Sequence, residues 1–272
     1  MSTVVFLGGG RITSAMLAGL RLGKTRHRLV VHDRNRDKLR DLKKRYAVAV
    51  EPDLSRAVKQ AEVLIVAVRP SSVGELLQSV GKILEKVNPP LPGRKPLAVC
   101  LAASVPLRAL SKQIGAPMQW ARAMPSPLCR SGHGLTAVTF PRALPRADRK
   151  RVHDLFASFG QVIEIPESKF DAFTVTFSCS HGYHALATLA QAAQEAGLDR
   201  NTAQLASAHA LADGIIAWRE GKQSLESLLD EAATPGGIAA ATAAKMDAVG
   251  YERAVRQGVA AGLRRARANA GK

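Results

Sequence analysis

Val4-Val5-Phe6-Leu7-Gly8-Gly9-Gly10-Arg11-Ile12-Thr13 is the stretch that decides the fold. Its four apolar residues carry no polar alternation, as expected of a strand buried on both faces. Three glycines then allow a tight turn. From Ile12 to Leu22 apolar and small residues recur at helical spacing. The turn fits G-x-G-x-x-G/A with Thr13 in the last place. A strand that runs through such a turn into a helix lets backbone approach a pyrophosphate closely. The helix start then offers free N–H groups and a partial positive charge to the anion. Gly8, Gly10, Arg11 and Ile12 are therefore candidate cofactor contacts.

Outward from this unit the pattern repeats. Leu29-Val30-Val31 is a second apolar run, closed by His32-Asp33-Arg34, and a polar helix carrying Leu39 and Leu42 follows. Ala47–Val50 reads as a third strand, Asp53 opens a short helix, and Val63–Val68 is a fourth strand. Strand and helix in alternation predict a doubly wound parallel sheet. The segment 88–96 is proline-rich and reads as a loop before a strand at Leu97–Leu101. Further strands are expected near Gln119–Ala123, Gly134–Phe140 and Val162–Ile165. From about Phe170 the pattern becomes helical and rich in Ala, Leu, Gln and Glu, broken at Gly197, Gly221 and Thr234–Gly237. The expected architecture is α/β, with a Rossmann domain over 1–166 and an all-helical dimerisation and substrate domain over 167–272. Small residues on the long helices suit close packing between subunits, so a homodimer or larger homo-oligomer is expected.

Asp33 lies 23 residues after Gly10, close to the spacing of an acid that binds a ribose hydroxyl. That favours NAD, whereas Arg34 and Arg36 can pair with a 2′-phosphate and favour NADP. Asp33 would repel that phosphate unless it points away. The positive field of the region tips the choice to NADP, with NAD left open. The chain carries 39 Lys and Arg against 22 Asp and Glu, and 11 of the basic residues lie between Arg21 and Arg45. Tyr46 is the one aromatic residue at that stretch, which argues against base stacking and against nucleic acid as a partner. Cys100, Cys129 and Cys179 match neither a zinc spacing nor a disulfide framework, so a reducing, cytoplasmic setting is expected and no metal is assigned. No basic, apolar leader precedes the first strand, and no run of about 18 apolar residues suggests a membrane span.

A series of segments follows in fixed order along the chain: Phe6–Gly10, Ala18-Gly19-Leu20, Ala67-Val68-Arg69-Pro70, Ala102-Ala103-Ser104-Val105-Pro106, Arg122-Ala123-Met124-Pro125, Phe159-Gly160, Glu167, Asp171 and Thr234-Pro235-Gly236-Gly237. In their order and spacing, along nearly its whole length, the chain resembles the pyrroline-5-carboxylate reductase family. The resemblance implies a Rossmann domain for NAD(P)H, a helical domain that dimerises, and hydride transfer to a cyclic imine. It also adds Ala67, Val68, Arg69, Pro70 and Ala102 to the expected cofactor contacts. Three segments depart from the family pattern, two of them on the substrate side. Where the family has Gly-Ser-Gly-Pro-Ala-Tyr, this chain has Ser178-Cys179-Ser180-His181-Gly182-Tyr183. Where it has Ser-Pro-Gly-Gly-Thr-Thr, this chain has Thr234-Pro235-Gly236-Gly237-Ile238-Ala239, without the final hydroxyls. Met-Pro-Asn-Thr-Pro becomes Met124-Pro125-Ser126-Pro127-Leu128. Ser178, Ser180, Gly236, Gly237 and Ile238 are the candidate substrate contacts, and His181 and Thr234 the candidate catalytic residues. His181 and His184 are the candidate acid/base groups, since imidazole titrates near neutrality. The substrate expected is pyrroline-5-carboxylate or a related imine or carbonyl compound; the alternative is a noncatalytic dinucleotide-binding regulator.

Overall fold

The computed structural model describes residues 1–86, 96–115 and 118–270. Of the proline-rich segment 88–96, all but Pro96 lies outside the described residues. The chain forms two compact units, Met1–Thr174 together with the end of the chain from Leu263, and Val175–Gly262.

The first unit is built on β1 (Thr3–Leu7), β2 (Arg28–His32), β3 (Ala49–Val50), β4 (Val63–Val66), β5 (Leu97–Cys100), β6 (Gln119–Pro125), β7 (Gly134–Thr139) and β8 (Gly160–Glu164). Their order across the sheet is β3-β2-β1-β4-β5-β6-β7-β8. Neighbours are parallel except β6 and β7, which pair antiparallel with Ala123 opposite Val138. Helices α1 (Arg11–Leu22), α2 (Arg36–Tyr46), α3 (Leu54–Lys59), α4 (Pro70–Glu85), α5 (Leu107–Gln113), α6 (Arg146–Ala157) and α7 (Glu167–Thr176) fill the connections. The third strand is shorter than expected, because Ala47 closes α2 and only Ala49 and Val50 pair with β2.

Alternation along each strand splits the core into two layers. Val4 and Phe6 of β1 join Ile65 and Val99 under Met16, Leu20 and Phe156. Val5 and Leu7 join Leu64, Val66 and Ala98 under Val73, Leu77 and Leu110. Every residue of β4 and β5 is buried, which is why these strands read as unbroken apolar runs. Gly19 lets α1 lie against the short 3₁₀ turn Pro127–Ser131, since a Cβ there would stand 2.1 Å from the Cys129 carbonyl oxygen.

The second unit contains α8 (Ser180–Glu195), α9 (Arg200–Glu220), α10 (Leu225–Ala232), α11 (Ile238–Ala248) and most of α12 (Tyr251–Ala270). α8 packs on α9 through small buried residues, Ala190, Ala203 and Ser207. Leu205, Ile215, Ile216, Trp218 and Leu229 are exposed in the single chain. The compact units meet in the chain between Thr174 and Val175, inside α7. The reason is local: Phe170 is fully buried, and Glu167 is bonded to Arg122 of β6 at 2.8 Å. Among the described residues no helix is long and apolar enough to cross a membrane.

Candidate functional site

The strand order turns back between β1 and β4, with β2 on one side and β5 on the other. In open α/β sheets a ligand crevice forms at this switch point, beyond the carboxyl ends of the strands. Gly8 leaves β1 there with φ +115, a conformation that excludes most side chains. Its N–H donates to the His32 carbonyl at 2.8 Å, and its carbonyl accepts the Thr13 hydroxyl at 2.6 Å. A Cβ on Gly8 would lie 2.6 Å from the Ala67 oxygen, so only glycine fits between β1 and the end of β4. Gly10 is different. It caps α1 without a side-chain bond, and a Cβ there would meet nothing within 4 Å. The start of α1, with Arg11 exposed and Ile12 half-buried, is therefore open toward solvent. That is the space and polarity a pyrophosphate needs.

Asp33 does not stand free. One carboxylate oxygen accepts the Gly9 N–H at 2.7 Å, and the other accepts the Asn35 N–H at 2.8 Å. The side chain thus braces the glycine turn. Arg34 is exposed and, among the described residues, pairs with Glu75 of α4 at 3.5 Å, in a surface pair of small net strength. Its guanidinium can be recruited by a phosphate, and Lys38 stands 4.0 Å from Asp33. Arg36 lines a shallow depression with Leu39, Arg40 and Lys43. Ala67 and Val68 are half-buried at the end of β4, Arg69 and Pro70 start α4 in the open, and Ala102 is buried just past β5. The structure thus gathers the expected cofactor residues along one edge of the sheet.

The expected substrate residues lie at the starts of two helices of the second unit. The Ser178 and Ser180 hydroxyls are 2.7 Å apart, and the His181 Nε2 lies 2.9 Å from the Val175 carbonyl oxygen. A carbonyl only accepts, so that nitrogen carries its hydrogen and Nδ1 is left for other work. His184 contacts Thr188 on its own helix. Thr234 is exposed, its carbonyl accepting the Gly237 N–H at 2.9 Å. Gly236 has φ +80, Gly237 caps α11 without a side-chain bond, and Ile238 is 89% exposed. No group of three or more His, Cys, Asp or Glu side chains suited to a metal ion is found among the described residues.

Sequence reasoning assigned no role to Arg122, which is 2% exposed and pairs with Glu167 and Asp171 of α7. The available signal was an arginine inside an otherwise apolar strand, since a buried guanidinium requires a partner. Cys100 and Cys129 are buried as well, and burial pushes both thiols up to about 11.

Two family models match the chain. One, described as NADP oxidoreductase coenzyme F420-dependent, covers residues 3–87; the other, pyrroline-5-carboxylate reductase dimerisation, covers residues 167–269. The chain is 30% identical to the pyrroline-5-carboxylate reductase of Mycobacterium leprae over 215 residues, 78% of this chain and 72% of that protein. It is 29% identical to the enzyme of that name from Synechocystis, over 95% of each chain. The crystal structure of Plasmodium falciparum pyrroline carboxylate reductase with NADP bound shares the fold at a TM-score of 0.84 and 20% identity, covering 99% of this chain and 98% of that one.

Proposed function

The chain belongs to the pyrroline-5-carboxylate reductase family, and on that premise we propose that it reduces pyrroline-5-carboxylate to proline with NADPH. The observation that carries the proposal is the open start of α1 at the sheet's switch point, where Gly10 leaves room for a pyrophosphate. NADPH, when bound, supplies the hydride. Gly8, Gly10, Arg11 and Ile12 would hold its pyrophosphate. Ala67–Pro70 and Ala102 would flank the nicotinamide half. Arg34, with Lys38 as a further cation, would take the 2′-phosphate, while the Asp33 carboxylate is engaged by the Gly9 and Asn35 N–H groups. NADH remains a weaker donor in this scheme.

Residues 1–166 serve as the cofactor domain and 167–272 as the dimerisation and substrate domain. The dimerisation model that begins at residue 167 supports this division, and exposed Leu205, Ile215 and Trp218 support a homodimer or larger assembly. Catalysis requires that the substrate carboxylate be held and that a proton reach the imine nitrogen as its carbon receives the hydride. Ser178 and Ser180 offer hydroxyl donors and Gly236 a backbone N–H, while the Gly237 N–H closes the turn on the Thr234 carbonyl. His181 in its doubly protonated form, through Nδ1–H, or the Thr234 hydroxyl, can deliver the proton. Ile238 offers neither donor nor proton, so a related imine or carbonyl compound is a second substrate class. Unpaired Cys100, Cys129 and Cys179 fit a cytoplasmic setting.

Steady-state oxidation of NADPH and NADH with pyrroline-5-carboxylate, in wild type and Ile238→Thr, tests the proposal. Wild-type turnover with preference for NADPH is expected. Turnover gained only in the Thr variant assigns the natural substrate to the second class. Absence of turnover in both, with any imine, contradicts the proposal.

A further inference from the structure

Arg122 is among the largest fully buried side chains, and it sits in β6 opposite Cys100, at the end of β5. Its Nη1 donates to Glu167 Oε1 at 2.8 Å, and its guanidinium lies 4.2 Å from the Phe170 ring centre. The same Glu167 oxygen accepts the Leu107 N–H at 2.9 Å. One carboxylate oxygen therefore ties three pieces together: β6, α7 and the first residue of α5. What it fixes through Leu107 is the segment Leu101–Pro106, which links β5 to α5.

Two further observations bear on this junction. Ser104, in the middle of the segment, is buried with φ +61. A non-glycine residue stays in that conformation only when its surroundings hold it, and such positions gather at functional sites. In addition, four of the five buried side-chain polar atoms without a hydrogen-bond partner among the described residues belong to this cluster. They are Arg122 Nε and Nη2, Glu167 Oε2 and Asp171 Oδ1. Of these atoms, Arg122 Nη2 and Asp171 Oδ1 stand 3.8 Å apart, close enough to attract but too far to bond. A cluster kept for stability alone would be better satisfied, or replaced by apolar side chains.

The direction of the cofactor gives the segment its task. With adenosine on the β2 side, beside Arg34, and pyrophosphate at α1, the nicotinamide half extends over the ends of β4 and β5. Resting on that cofactor reading, we infer that Arg122 and Glu167 are positioning residues: through the Leu107 N–H they hold Leu101–Pro106, with its strained Ser104, as a wall for the nicotinamide ring. They act on the ring through the segment.

The test separates the two halves of the cofactor. Adenosine 2′,5′-bisphosphate probes the adenosine half by calorimetry. NADPH is titrated by the emission of its dihydronicotinamide, which reports the ring's surroundings. Glu167→Ala removes the shared acceptor. It is expected to leave the bisphosphate affinity within about twofold, to weaken NADPH roughly tenfold and to abolish the emission change. Glu167→Gln keeps an oxygen for Leu107 and is expected to restore NADPH binding to within about threefold of wild type. Ser104→Gly removes the strain without a cavity, so its melting temperature is expected not to fall while the emission change is reduced. The inference is overturned if Glu167→Ala and Ser104→Gly both leave the NADPH emission as in wild type. It is equally overturned if bisphosphate binding falls in step with NADPH binding, or if the Gln variant behaves as the Ala variant does. Should Glu167→Ala not fold, Glu167→Gln and Ser104→Gly decide by the same readouts. A wild-type chain that binds neither NADPH nor the bisphosphate refutes the cofactor reading itself, before any variant is made.

Discussion

Replacing Gly8 with alanine places a methyl group 2.6 Å from the Ala67 oxygen and 3.0 Å from its carbon. The backbone there also has φ +115, where an L-residue is strained. The strain costs about 1–3 kcal/mol, and the overlap adds a similar amount because β4 is packed on both faces and cannot retreat. The sum, roughly 2–6 kcal/mol, lowers the melting temperature of the cofactor-free protein by on the order of 10 °C. Gly10→Ala is the matched control. Its Cβ meets nothing, and the cost of alanine at a helix cap is about 1 kcal/mol or less. Yet the new methyl stands where the pyrophosphate belongs, so NADPH affinity falls by about tenfold or more. Thermal melts without cofactor and NADPH titrations of both variants check the pair. A Gly8→Ala protein that melts like wild type refutes the steric argument. A Gly10→Ala protein that binds NADPH like wild type removes the phosphate from the start of α1.

Arg34→Ala is expected to weaken NADPH by roughly tenfold or more while leaving NADH nearly unchanged, because only the 2′-phosphate loses a charged partner; parallel KM measurements decide. A thiol reagent at pH 8 should leave Cys100 and Cys129 unmodified until the chain is unfolded, since both are buried and titrate near 11. These raised values also set a sign. Between 9.0, where the thiols ordinarily titrate, and about 11 the folded chain keeps protons that the unfolded chain releases. Stability is thus full below that window and falls as pH rises through it, which denaturant midpoints at pH 8 and 10.5 will show. Ile215→Glu, on the exposed apolar surface of α9, should lower the sedimentation mass at micromolar concentration if the helical unit joins subunits.

Much of the first unit was legible because its signals are local. The run Val4–Leu7, the glycine turn and the helical spacing from Ile12 lie within one short stretch, and the central strands β1, β4 and β5 are apolar runs buried on both faces. The reversal between β6 and β7 left no such mark, since a buried strand reads the same in either direction. The orientation of Asp33 depends on the Gly9 and Asn35 N–H groups, which spacing does not reveal. Arg122 could be recognised as a buried charge in need of a partner. Glu167 lies 45 residues away and meets it only once the sheet is formed. On the substrate side, Ser178–His181 and Thr234–Ile238 begin separate helices, α8 and α11, and no periodicity tells which side chains a ligand meets.

The central claim, that this chain delivers hydride from NADPH to a cyclic imine, is tested most directly by product. Purified protein incubated with NADPH and pyrroline-5-carboxylate should yield proline by mass spectrometry, one molecule for each NADPH oxidised. Tight NADPH binding with no proline, and no other reduced imine or carbonyl product from the wider substrate panel, would contradict the account.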